Sequence, residues 1–142
     1  MKPSLVVGLK GQSSFVVTDA NTVPRLTIDQ AGFEDIPAVL ATAYMVAMME
    51  GASAQLIRPH LDANEGTLGV TVNVNHTAAT LVGQTVTVTA EIIAVEGRKV
   101  TFKVVAHDGV DKIGEGTHQR AVVPWDRFKA GIDGKRAKAG LA

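Results

Sequence analysis

The chain has 142 residues, 14 basic and 14 acidic side chains, and no cysteine. That length suits one domain with a core of its own, and the neutral balance supplies no net field to recruit nucleic acid or an anionic membrane. Without cysteine there is neither disulfide nor thiolate chemistry, and a zinc site would fall to histidine and carboxylates. The first residues lack a long apolar h-region, and no apolar run approaches the roughly 20 residues of a membrane span. The expectation is a soluble, cytoplasmic protein with a single domain over residues 1–128.

Taken in chain order, Ser14, Phe15, Val16, Val17 and Thr18 offer a first strand. Residues 19–36 hold Asn21, Pro24, Gly32 and Phe33 and read as an irregular cover or lid. Residues 37–60 carry alanine, leucine, methionine and one glutamate with no internal proline until Pro59, which predicts one long helix of about six turns. Its polar residues are too few for a surface helix, so a sheet and a second subunit should wrap it. Gly51 costs about 1 kcal/mol relative to alanine there and suggests close packing.

After Gly66 the period changes to two. Leu68, Val70, Val72, Val74 and His76 should share one face of a strand, with Thr67, Thr71, Asn73 and Asn75 on the other. Three more strands are predicted at 84–96, 99–107 and 112–124, joined by hairpin turns at Glu96-Gly97-Arg98 and at Asp108 to Asp111. The small, basic segment 129–142 is expected to be a flexible tail. One strand, one long helix and four antiparallel strands is the element order of an α+β hotdog fold, a curved sheet around a central helix. Its open sheet edges should pair between subunits, giving at least a dimer.

The chemistry begins with Glu50, a lone acid in the apolar helical run. A carboxylate taken from water costs several kcal/mol unless paired, so this one needs either a cation or a catalytic task. Thr42 lies eight residues earlier, about 12 Å along the helix axis and about 80° around it, too far to touch Glu50. His76, at the end of a strand facing the helix, is the third candidate. A carboxylate and an imidazole in a dry cleft can activate water, or the carboxylate can attack an acyl carbon itself. Gly69 would let a substrate approach a backbone N–H closely.

On the residues alone the alternatives stay open. Glu50 could be a structural partner of Arg58 or Arg120, His76 a satisfied core histidine, and Thr42 a helical threonine bonded back to a carbonyl. Gly69 could mark only a bulge, Arg120 a strand-surface cation and Phe33 a core residue. The histidines at 60, 107 and 118 are scattered without metal-binding spacing, so no metal site is expected.

Several segments carry a resemblance: residues 41–50, 65–69, 76–80, 86–91, 95–98, 106–111 and 113–118, with Arg120. Together they resemble, in order and spacing from about residue 33 to 123, the fluoroacetyl-CoA thioesterase family of hotdog proteins. The resemblance implies a homodimeric acyl-CoA thioesterase; no cofactor is expected beyond the CoA of its substrate, and the charge balance leaves neither nucleic acid nor membrane as an expected partner. It carries the catalytic roles to Thr42, Glu50 and His76. It places Gly69 and Arg120 against the acyl or carboxylate pocket and Phe33 in a lid. Ile36 stands where that family has a second lid aromatic, which alters the shape of the gate over the acyl group. Two other functions fit a hotdog chain with these residues: an enoyl-CoA hydratase or dehydratase, and a non-catalytic acyl-CoA or small-acid binding protein.

Overall fold

The computed structural model describes residues 1–26 and 32–142. Five antiparallel strands form one curled sheet: β1 (Lys10–Val16), β2 (Glu65–Val74), β3 (Thr85–Glu96), β4 (Lys99–His107) and β5 (Lys112–Pro124), in the order β1-β3-β4-β5-β2. The three later strands lie where the period-two pattern puts them. The β3–β4 turn is held by Gly97 at φ +62°, and in the β4–β5 turn the Asp108 carboxylate accepts the Val110 and Asp111 N–H groups.

The helix α1 (Thr42–Ile57) is shorter than the reading of residues 37–60. Val39 and Leu40 are drawn into isolated bridges with Leu81 and Thr22, which keeps residues before Ala41 extended. At the other end Arg58–His60, containing Pro59, tightens into a 3-10 turn. The helix crosses the sheet and buries Met45, Met49, Ala52, Ser53 and Ile57 against it. Those side chains meet Val86, Val88 and Ile92 of β3, Val100, Phe102 and Val104 of β4, and Ile113 and Val122 of β5, all essentially inaccessible. Each large side chain so buried contributes about 1.5–3 kcal/mol, which is why the helix sits on the sheet despite weak capping at Ala41.

Two expectations about packing change. A Cβ on Gly51 would meet nothing within 4 Å of its own chain, so packing of α1 on the sheet does not require this glycine. The face of β2 also changes phase along its length. Gly69 pairs with Arg120 and Thr71 with Gln119, leaving Val70 as the extra residue of a bulge. A bulge adds one residue to one strand and so shifts the alternation. Thr67 and Gly69 therefore share the inner face with Val72 and Val74, and Leu68, opposite Ala121, turns outward.

Residues 125–138, where a tail was expected from Lys129, form α2 (Trp125–Lys138). Trp125 anchors its start: the indole lies over Gly66, the Trp125 N–H bonds the Asn64 carbonyl, and Asn64 bonds Asp126. From Asp126 onward every residue is exposed.

Candidate active site

The structure divides the sequence-predicted residues into two groups on α1. At its first turn, Thr42 Oγ1 and His76 Nδ1 are 2.8 Å apart. Thr42 thus bonds across to the loop after β2 and not back along its own helix. The His76 Nε2 atom is shut off from water yet has no partner among the described residues. Burial pushes the His76 imidazole below its ordinary pKa, with a backbone hydrogen bond at Ala78 acting the other way. A cleft of about 360 Å³ opens here, lined by Val23, Ile36, Leu40, Thr42, His76 and Ala78 among others. A second, of about 290 Å³, adds Phe33 and Leu26 around the same Thr42. Phe33 and Ile36 therefore stand beside the threonine–histidine pair, joined by a turn in which the Ile36 N–H bonds the Phe33 carbonyl. Residues 27–31 of the expected lid lie outside the described residues.

Two turns further along α1, Glu50 Oε2 lies 3.4 Å from Arg120 Nη1. The acid is not sealed away as its apolar surroundings in the sequence suggested: its side chain is 42% exposed, whereas that of Arg120 is 9% exposed. Arg120 is held on every nitrogen. Its Nε donates to Thr67 Oγ1 at 2.9 Å and its Nη2 to the Thr67 carbonyl at 3.0 Å. Its Nη1 reaches both Glu50 and, at 3.2 Å, His118 Nε2. Burial lowers the guanidinium pKa and the Glu50 charge raises it again. Of the two cations the sequence offered Glu50, the fold supplies Arg120.

Gly69 closes this second group. A Cβ built on it would lie 2.8 Å from Glu50 Oε2 and 3.4 Å from the His118 ring, so only glycine leaves the carboxylate where it is. His118 itself is buried, stacked near Phe102 with ring centroids 6.2 Å apart, and bonded through Nδ1 to the Thr71 carbonyl at 2.8 Å. Reading the histidines as scattered passes over it, and nothing in that reading singles out Thr67. A signal was available: His118 and Arg120 are two apart in a predicted strand and so share a face. Among the described residues no group of three or more histidines and carboxylates is placed to hold a metal.

A curled antiparallel sheet against one long helix is the frame of the hotdog thioesterases. A Thermus thermophilus hypothetical protein of the thioesterase superfamily shares it at 28% identity, with a TM-score of 0.88 over 99% of this chain and 98% of that one. The fluoroacetyl-CoA-specific thioesterase model matches residues 17–126. A fluoroacetyl-CoA thioesterase of Streptantibioticus cattleyicolor is 46% identical over 132 residues, covering 93% of this chain and 95% of that protein. The solved fluoroacetyl-CoA thioesterase FlK superposes with a TM-score of 0.88 at 45% identity, covering 93% and 98%. FlK variants with the threonine replaced have been solved with fluoroacetate and with acetyl-CoA. The chain belongs to the fluoroacetyl-CoA-specific thioesterase family and is a thioester hydrolase.

Proposed function

We propose that this chain hydrolyses the thioester of a short acyl-CoA, fluoroacetyl-CoA or a close analogue, to the free acid and CoA, in a site completed by a second copy. The observation that carries this reading is the division of the polar residues. Thr42 and His76 form one bonded pair, Glu50 and Arg120 another, and eight helical residues, about 12 Å, separate them. Hydrolysis needs a base or nucleophile beside a proton donor, so the two pairs must be brought together from different chains.

Three features support a two-fold partner. The edge strand β2 leaves Val70 and Val72 exposed at 61% and 43%. The outer face of α1 carries Ala43, Ala47, Gly51 and Ala54, small enough for close approach. The dry Nε2 of His76 lacks a partner among the described residues. A buried polar atom without one costs about 1–3 kcal/mol, which a substrate carbonyl or a partner group would recover.

In this site Glu50, held by Arg120, attacks the acyl carbon or activates water. His76 orients the substrate carbonyl through its otherwise unpartnered Nε2 and assists the transfer of the water's proton to the departing thiolate, and Thr42 sets the orientation of the imidazole. Backbone N–H groups beside Gly69 stabilise the developing oxyanion. Phe33 and Ile36 cover the acyl group. Ile36 presents an aliphatic surface at this gate, so acceptance of acyl groups larger than fluoroacetyl is the expected consequence.

The test is release of CoA thiol from fluoroacetyl-, acetyl-, propionyl- and butyryl-CoA, with Glu50→Gln alongside. Mixing Thr42→Ala with Glu50→Gln chains adds the decisive arm. If each site joins Thr42 of one copy to Glu50 of the other, every mixed dimer regains one intact site. No recovery on mixing means that both residues act within one chain. A chain that cleaves no thioester but hydrates an enoyl-CoA, or only binds acyl-CoA, would replace the hydrolytic reading of this site's substrate.

A further inference from the structure

His118 is the one buried histidine among the described residues, and both of its ring nitrogens are engaged. The Thr71 carbonyl can only accept, so Nδ1 carries the proton. Arg120 Nη1 can only donate, so Nε2 is the bare acceptor. The two neighbours thus dictate a single neutral tautomer. The ring cannot swing away, because it is packed near Phe102 on one side and bounded by β2 on the other.

This locked acceptor completes the set of contacts on Arg120. Thr67 takes Nε and Nη2, which fixes the plane of the guanidinium. His118 takes one side of Nη1 and leaves the other for Glu50 Oε2. We propose that His118 is a positioning residue of the hydrolytic site, using its bare Nε2 to aim Arg120 Nη1 and, through it, to set the Glu50 carboxylate beside Gly69. This rests on the reading of Glu50 as the reacting carboxylate. A partner one bond removed from a reacting group affects the rate through its position, because misplacement by about an ångström can cost on the order of a hundredfold.

The competing role is purely structural: through Nδ1, His118 ties down the Thr71 end of the β2 bulge. Two substitutions separate the roles. In His118→Gln the side-chain amide oxygen would fall near the place of Nε2 and accept from Arg120, so this variant should keep kcat within about threefold. His118→Asn can reach the Thr71 carbonyl but not Arg120, and should lower kcat by about tenfold to a hundredfold with KM little changed. In an Arg120→Gln background both substitutions should then have nearly equal, small effects.

Asparagine performing as well as glutamine, or additive losses in the Arg120→Gln background, would overturn the proposal. Imidazole 15N shifts of the wild-type protein give a readout independent of activity and of the variants' folding: His118 should be neutral and protonated at Nδ1 at pH 7. An Nε2-protonated or cationic His118 overturns the proposal directly. A wild-type chain that keeps the expected signal yet cleaves no thioester instead overturns the hydrolytic reading, and the catalytic consequence of His118 with it.

Discussion

Replacing Gly69 by alanine should separate activity from stability. The added methyl would sit 2.8 Å from Glu50 Oε2, where ordinary contact begins at 3.4 Å, while Arg120 Nη1 at 3.6 Å needs no adjustment. The obstacle is the end of a half-exposed side chain, not backbone, so the carboxylate gives way and the strand does not. Gly69 is not at positive φ, so alanine fits its backbone, and the roughly 0.5–1 kcal/mol gained through lost chain entropy should about offset the weakened Glu50–Arg120 pair, leaving stability nearly unchanged. A displacement of roughly half an ångström at the reacting group should lower kcat by on the order of tenfold. The assay is a pair of measurements: steady-state thiol release and thermal unfolding. Unchanged kcat would refute the placement of Glu50 against Gly69. A large drop in Tm would refute the claim that only the carboxylate moves.

Other outcomes follow from the same geometry. Thr42→Val keeps the shape of the first turn but removes the hydroxyl 2.8 Å from His76, and should lower turnover by about tenfold or more, with Thr42→Ser retaining most of it. Gly66→Ala would drive a methyl into the rigid ring of Trp125, the chain's one tryptophan. It should cost about 1–3 kcal/mol and shift tryptophan emission to the red as α2 lifts off; an unshifted spectrum would contradict the packing. Burial depresses the pKa of both His76 and His118. A base depressed in the folded state takes up protons first when unfolded, so stability is full above about pH 6.5 and declines as pH falls through that value. Chemical denaturation at pH 7.5 and 5.5 should show the decline, and His118→Gln should reduce it.

Most of the architecture is set by local chemistry that the sequence displays. Alternating valines with glycine and aspartate turns place β3, β4 and β5 within a residue of their bounds, because hairpin strands are defined by near neighbours along the chain. The motifs around Thr42, Glu50 and His76, taken as a resemblance, named the family. What the sequence could not decide depends on contacts distant along the chain. Helix propensity misplaces the start of α1 because bridges from Val39 and Leu40 to Leu81 and Thr22 override it. Alternation puts Val72 and Val74 on the correct face of β2 but exchanges Thr67 and Leu68, because one bulged residue, Val70, shifts the phase between the two halves of the strand and leaves no mark in the pattern. Which cation answers Glu50 was likewise a tertiary matter. Arg58 is nearer in sequence, but the pairing of β2 with β5 holds Arg120 on Thr67 and His118 and turns its free edge to the helix.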